Sequence, residues 1–391
     1  MIDAPNQWRL ETPGHVGWER TAQPGDPNKY FMVSCDSHVN EPTNLWRERL
    51  DAQYRDRLPR IEVGENGVKW QVSEGMQRSR LLEDHLEGED KERSKAGADP
   101  VQRLKDMERD GVDAEIMFPN KGLAMWATPD PQFAMAQCRV YNDWAWETFG
   151  PYNDRMSPMA AVATGDLEGS IAEVERVAKL GFRGLTLPCK PIYGSHDARH
   201  PNYNWPMFDR LWAVIQETGL PITFHISTGR DPRAARKDGG AVINYVAHAL
   251  APTVEPVACM CASGVFERFP QLRFAGIECG IGWLAWALEA MDEAYKKHHM
   301  WAFPKLKLLP SEYFRLHGAA SFQEDRVGLD LAIKYNLVDN ILWANDYPHH
   351  EGSWPHSAQA IERTMGDLTD AQRARILGFN AVRLFKFNAP A

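Results

Sequence analysis

The sequence lacks the features that mark several large classes of protein. It has no run of about 18 consecutive apolar residues, so no bilayer-spanning helix is expected. The opening stretch "MIDAPNQWRLETPGHVGWER" contains no apolar segment of signal-peptide length, so export is not expected either. Positive charge is the minority: 44 Lys and Arg stand against 53 Asp and Glu, a net charge of -9, and basic residues nowhere cluster with interleaved aromatics. That balance argues against a nucleic-acid surface and leaves a small molecule as the expected partner. Cysteine is sparse, with six residues at positions 35, 138, 189, 259, 261 and 279, and the Cys259/Cys261 pair has no second pair at zinc-finger spacing. These six read as buried thiols of a reducing cytoplasm.

What is present describes a large globular α/β chain. Of the 391 residues, 43 % are hydrophobic and 25 % charged, enough apolar mass for a sizeable core and too little charge excess for disorder. Residues 1 to 30 are rich in Pro, Gly, Asn and Asp without apolar periodicity and are expected to form an arm over the surface or onto a neighbouring subunit. Eight β-prone runs follow: "FMVSCD" (31 to 36), "DAEIMFP" (113 to 119), "MSPMAAVAT" (156 to 164), "FRGLTLP" (182 to 188), "PITFHIS" (221 to 227), "LRFAGIE" (272 to 278), "FRLHGAASF" (314 to 322) and "NILWAND" (340 to 346). Amphipathic stretches lie between them. "DLEGSIAEVERVAKLG" opens on an Asp N-cap candidate and closes on Gly, and "NWPMFDRLWAVIQETG" closes the same way. Strand then helix, eight times, predicts an α/β fold of the (β/α)8 TIM-barrel type over residues 31 to 391. Residues 47 to 100 break the alternation and are expected to be an insertion after strand 1. It would hold a hairpin around Asn66-Gly67 and a charged loop, "EDHLEGEDKERSKAGADP", and is placed over the barrel mouth. The arm and the insertion, both without a partner in an ordinary barrel, point to a homodimer or larger assembly.

In such a barrel the C-terminal strand ends carry the chemistry. Asp36 and His38 follow strand 1, Lys190 follows strand 4, His225 ends strand 5, Glu278 ends strand 6 and Asp346 ends strand 8. Taken singly, Asp36 is an ordinary turn residue and His225 a core histidine. Taken together they ring one opening. Because side chains alternate along a strand, Asp36 and His38 at i and i+2 share a side that Ser37 does not. Two imidazoles and two carboxylates suit one divalent ion, Zn²⁺ first and Mn²⁺ as the alternative. His349 and His350, after strand 8, could orient substrate or support Asp346. Trp283 and Trp354 could wall an apolar pocket. His298 and His299 read as surface residues, and His248 as helical and close to the mouth.

The motifs "DSHVNEP", "ITFHIS", "ECGIGWL" and "ANDYPHHEGSWP", in this order and spacing, with the closing "ILGFNAVRLFKF", resemble the amidohydrolase-related family over roughly residues 31 to 388. That branch of the amidohydrolase superfamily includes aminocarboxymuconate semialdehyde decarboxylase and γ-resorcylate decarboxylase. The resemblance implies a distorted (β/α)8 barrel with one divalent metal held by Asp36, His38, His225 and Asp346. Asp36 stands where many superfamily members have the first His of an H-x-H pair, making this a D-x-H variant. Glu278 stands where the family decarboxylases have their catalytic His. Lys190 lies near the strand 4 Lys that bridges two ions in two-metal members, but Glu278 replaces the His a second metal would need.

Two chemistries follow. The first is a metal-dependent hydrolase of a small aromatic or carboxylated substrate, with metal-activated water, Asp346 as base and Glu278 positioning substrate or sharing the proton. The alternative is a nonoxidative decarboxylase of an aromatic or muconate-like acid. Lys190, Trp283 and His349 are the expected substrate contacts.

Overall fold

The computed structural model describes residues 30–76, 78–80, 88, 91, 96–192, 200–228 and 238–388. The expected arm, apart from Tyr30, and residues 83–87, 89, 90 and 92–95 of the charged loop lie outside them.

The apolar runs become strands. β1 (Val33–Ser34) and β2 (His38–Val39) come from the first run, interrupted at Cys35–Ser37. The insertion supplies β3 (Arg60–Val63), β4 (Lys69–Val72) and β5 (Ser79–Arg80). Then follow β6 (Ala114–Pro119), β7 (Met156–Pro158), β8 (Ala160–Ala161) and β9 (Leu185–Leu187). The last four are β10 (Ile222–His225), β11 (Phe274–Ile277), β12 (Gly318–Phe322) and β13 (Ile341–Trp343). With β1/β2 and β7/β8 each taken as one interrupted strand, the eight expected strands are all present.

They pair in parallel. β6 takes β1 and β2 on one side and β7 on the other, while β8 to β13 run as a consecutive sheet. A single residue, Met159, separates β7 from β8, and its N–H donates to the Met117 carbonyl at 2.9 Å, so the two sheets are continuous there. At the other seam no ladder forms. Instead Cys35 N–H donates to Trp343 O at 2.9 Å, His38 N–H donates to Tyr347 O at 2.6 Å, and Ser37 and Tyr347 form an isolated parallel bridge. Single bonds completing a ring are what a distorted barrel looks like at its weakest edge. The barrel strands are buried along their whole length, which is why they read as continuous apolar runs rather than alternating ones.

Residues turned inward form one cluster: Val33, Cys35, Ala114, Ile116, Phe118, Ala275, Ile277 and Leu342 among them. Val33 and Cys35 keep the two-residue alternation, and strict continuation would turn Ser37 inward. The break in strand 1 resets the phase. Ser37 Oγ instead donates to Ile116 O at 2.8 Å, and Asp36 and His38 face the centre.

The outer helices follow local signals. In Leu167–Leu180 the Asp166 carboxylate accepts from Gly169 N–H at 3.0 Å, and Gly181 ends the helix at a left-handed φ of 108°. Asp209–Thr218 ends on Gly219 in the same way. One expected strand is shorter than its run: Pro310–His317 is a helix and only Gly318–Phe322 is β. Pro310 sits at the first helical position, Glu312 accepts from Leu309 N–H at 2.7 Å, and Tyr313, Phe314 and His317 bury one helical face. A short apolar run does not by itself distinguish these two states.

The insertion forms an antiparallel sheet of β3, β4 and β5, with Gly67 turning the hairpin at φ 71°. It is tied to the loop after β6 by Arg57, which donates to Glu74 at 2.9 Å and Asp130 at 2.8 Å. Among the described residues, no helix is long and apolar enough to cross a membrane.

Arg103, on the helix Pro100–Asp110, fixes strand 1 from behind. Fully buried, it pairs with Glu115 on β6 and donates to Ser37 Oγ at 2.8 Å and His38 O at 2.6 Å. Arg103→Met should cost about 3–5 kcal/mol in guanidinium unfolding, because it leaves the Glu115 carboxylate buried without its cation. Adding Glu115→Gln should recover part of the loss.

Candidate metal centre

Five polar side chains from strand ends far apart in sequence meet at the C-terminal side of the parallel strands. Asp36 lies between β1 and β2, His38 opens β2, His225 ends β10, Glu278 follows β11 and Asp346 lies three residues past β13. Two of these positions are held in a conformation that costs energy: Glu278 and Asp346 have φ of 56° and 53°. Non-glycine residues in that region, buried and over-determined by their neighbours, cluster at functional sites. The neighbours are visible. Glu278 N–H donates to Ser321 Oγ on β12 at 2.9 Å, and Asp346 N–H donates to the Asp36 carbonyl at 3.1 Å. The following loop passes so close that a Cβ on Gly352 would lie 2.4 Å from Asn345 O.

The protonation of both imidazoles follows from their bonds. His38 Nδ1 lies 3.0 Å from Pro119 O and His225 Nδ1 lies 2.9 Å from Ile226 O, contacts that place the proton on Nδ1 and turn each Nε2 lone pair to the centre. Those Nε2 atoms and both carboxylate oxygens of Asp36 are buried without a hydrogen-bond donor, and the buried Asp346 carboxylate has the His349 imidazole beside it at 3.0 Å. His38 Nε2 lies 3.5 Å from Asp36 Oδ1 and 3.5 Å from Asp346 Oδ1, and His225 Nε2 lies 3.4 Å from Asp36 Oδ1. These are contacts between acceptors. Bonds of about 2.1 Å to a common ion would set neighbouring ligand atoms roughly 3.0–3.4 Å apart, so the residues present fit a divalent cation.

The electrostatics say the same. Burial, then the neighbouring acidic groups, pushes Glu278 well above the usual carboxylate range. Burial raises Asp346 to about 7, against the opposing effect of His349. His38 is pushed well below its ordinary value, mainly by burial. His349 goes the other way: burial lowers it, but Asp346 outweighs that and lifts it to about 9. Its ring stacks on His38 with centroids 4.0 Å apart, and its Nδ1 is 3.0 Å from Asp346 Oδ1. Phe118 lies below the imidazoles, 4.9 Å from the His225 ring.

The other expected residues divide. His349 is brought to the cluster. Lys190 is not among the converging groups; it pairs with Glu255 at 3.4 Å. Trp283 donates its indole N–H to Cys279 O at 2.9 Å and Gly280 O at 3.0 Å, bracing the turn that follows Glu278. Trp354 is buried and donates to Asp106 O, and His350 is exposed beside Glu351. His298 and His299 are exposed, and His248 lies on the π-helical segment Asn244–Leu250. Sequence reasoning passed over Arg103, Ser321 and Tyr245. Tyr245, half-exposed on the same π-helical segment, has its hydroxyl raised to about 12, first by partial burial and then by the charges of Glu278, Asp346 and Glu351. Mid-helix π segments frequently mark functional sites, but no residue pattern in "NYVAHAL" announces one.

A parallel α/β barrel whose strand ends converge buried carboxylates and imidazoles defines a class, the metal-dependent barrel enzymes. The chain belongs to the Amidohydrolase family, whose profile matches residues 35–387. Its fold is similar to that of an amidohydrolase from Mycobacterium avium subsp. paratuberculosis K-10, at 21 % identity and a TM-score of 0.74 over 91 % of this chain and 98 % of that one. It is also similar to 5-carboxyvanillate decarboxylase from Novosphingobium aromaticivorans DSM 12444, solved with bound manganese, at 17 % identity and a TM-score of 0.70 over 93 % and 99 %. A third similar structure is dihydroxybenzoic acid decarboxylase from Polaromonas sp. JS666, solved with manganese and 2-nitroresorcinol, at 20 % identity and 0.64 over 92 % and 98 %.

The shifted groups give a sign for pH dependence in the metal-free protein. His349 is raised in the fold, so its contribution is complete below about 6.5 and is lost as pH rises through about 9. The raised Glu278 also loses stability as pH rises, and the depressed His38 acts oppositely only below about 6.5. The melting temperature of chelator-stripped protein should therefore fall between pH 7 and 9. Saturating divalent metal, or His349→Gln, should flatten that slope.

Proposed function

We propose that the chain is a metal-dependent hydrolase of a small organic substrate, aromatic or carboxylated, acting through water activated at one divalent centre formed by Asp36, His38, His225 and Asp346. The observation that carries this reading is the convergence of two buried Nε2 lone pairs on Asp36, whose carboxylate has no donor, with Asp346 3.5 Å from the His38 nitrogen. A divalent ion held there supplies Lewis acidity toward a substrate oxygen and eases the ionisation of water near neutral pH. The protein groups do the rest. Asp346 takes the proton of the attacking water and returns it to the leaving group, and its second oxygen is available for that traffic. His349, 3.0 Å away and in its charged form, holds Asp346 in place, while its Nε2 lies 3.4 Å from Asn120 Oδ1. Lys190 and Trp283 act on substrate only at the rim, since their polar atoms are committed to Glu255 and to the turn after Glu278.

Zn²⁺ is the ion first expected from sequence; the carboxylate-rich donors, together with two similar proteins solved with manganese, support Mn²⁺. A second reading is nonoxidative decarboxylation, favoured by the decarboxylase activities of those same two proteins. In that reading the proton carried by Asp346 goes to the carbon that loses CO₂. The six free thiols, five of them buried, support the reducing, cytoplasmic setting. A homodimer or larger assembly is supported by Met300, Trp301 and Phe303, which stand 66–74 % exposed, and sedimentation at micromolar concentration tests it.

The test of the reaction is a panel of aromatic esters, amides and hydroxybenzoates run in ¹⁸O-labelled water with CO₂ detection. Hydrolysis predicts label in the product and no CO₂; the reverse result selects decarboxylation. One equivalent of metal per chain is expected, and His225→Ala should lose most of it, because the remaining donors leave an incomplete set. Full metal retention in that variant would make His225 a structural residue.

A further inference from the structure

We propose that Glu278 is itself a metal ligand, a fifth protein donor beside Asp36, His38, His225 and Asp346. The proposal rests on the reading that this cluster binds one divalent ion. It changes the role of a residue that otherwise looks like a free proton carrier.

Glu278 Oε2 lies 3.5 Å from His225 Nε2, while Asp36 Oδ1 lies 3.4 Å from that same nitrogen on its other flank. One imidazole lone pair is therefore bracketed by two carboxylates at equal range, as the His38 lone pair is bracketed by Asp36 and Asp346. Followed round, Asp346, His38, Asp36, His225 and Glu278 form an arc of acceptor atoms whose successive separations are all 3.4–3.5 Å. The arc nearly closes, since oxygens of Glu278 and Asp346 approach within 4.8 Å. The His225 Nδ1 hydrogen is engaged by Ile226 O, which turns the Nε2 lone pair toward Glu278. A single proton relieves one such contact; a cation placed among all five acceptors turns every one of them from repulsion into attraction. The backbone agrees: the left-handed φ at Glu278 and the bond from its N–H to Ser321 Oγ hold the carboxylate where the other donors end.

Three carboxylates and two neutral imidazoles around a dication leave a net charge of about -1 and a donor set dominated by hard oxygen. Such a set narrows the intrinsic advantage of Zn²⁺ over Mn²⁺ more than the four-donor set would. Glu278 therefore shifts the preference toward Mn²⁺, as well as tightening the site.

The experiment compares wild type, Glu278→Gln and Glu278→Asp after chelator stripping. Mn²⁺ and Zn²⁺ affinities are read by equilibrium dialysis with elemental analysis, bound Mn²⁺ by electron paramagnetic resonance, and folding by the melting temperature of each metal-free protein. Losing a group that merely supports a ligand costs about 10–100-fold in affinity, so losing a ligand should cost Mn²⁺ at least tenfold. Zn²⁺ should lose less, Glu278→Asp should recover part of the Mn²⁺ affinity, and metal-free Glu278→Gln should melt no lower than wild type because a like charge has been removed. Unchanged Mn²⁺ affinity in Glu278→Gln overturns the proposal, and a lower metal-free melting temperature with unchanged affinity makes Glu278 structural. Wild type that takes up no stoichiometric metal defeats the metal reading itself, a result distinct from either.

Discussion

The mutual repulsion of buried acceptors is the constraint on which this structure turns. Asp36, His38, His225 and Asp346 are all fully buried, and their central atoms face one another with no donor between them. A group so placed costs free energy, of which His349, 3.0 Å from Asp346 Oδ1, returns only a part. A fold tolerates such a centre only if its scaffold forces it or a cation relieves it. Here the scaffold's contribution can be followed bond by bond.

The forcing happens at the seam where the parallel ring is weakest. Ser34 Oγ accepts from Asn345 N–H at 3.0 Å and lies 2.8 Å from both Asp36 O and Asn345 Oδ1, to one of which its proton goes. Asn345 Nδ2 donates to Asp110 at 3.0 Å, and Asp110 also receives Ser357 N–H at 2.9 Å. Arg103 braces the other face of strand 1, and Tyr347 reaches Asp106 at 2.6 Å. A seam of polar side chains thus replaces the missing ladder. Because those bonds end on the residues beside Asp36 and Asp346, closing the barrel and aiming the carboxylates are one and the same act.

This division explains what the sequence could disclose. Eight apolar runs gave the strands, because a strand buried on both faces leaves an uninterrupted signal, and the Asp166 and Gly181 caps bounded their helix correctly. The convergence of Asp36, His38, His225, Glu278 and Asp346 was legible too, since each is a polar residue closing an apolar run. Lys190 satisfied the same criterion and lies elsewhere, paired with Glu255. Its position after strand 4 marks it in sequence, but a long flexible side chain takes its partner from three-dimensional neighbours. Arg103, Ser321 and Tyr245 were illegible for the opposite reason. They sit on helices or mid-strand, and Arg103 and Ser321 matter through what they touch.

The D-x-H pattern acquires its meaning from the same physics. Two imidazoles in the strand 1 pair would bring neutral donors to the ion; an aspartate brings a charge that must be neutralised in a buried place. With Asp346 it balances a dication, and with Glu278 it exceeds one. The charge count at this centre is therefore set by strand ends 1, 6 and 8 together, and His349, lifted to about 9 by Asp346 beside it, supplies the positive charge that returns the excess toward zero. With a dication held by all five donors, a substrate would meet a centre whose negative charge is already matched.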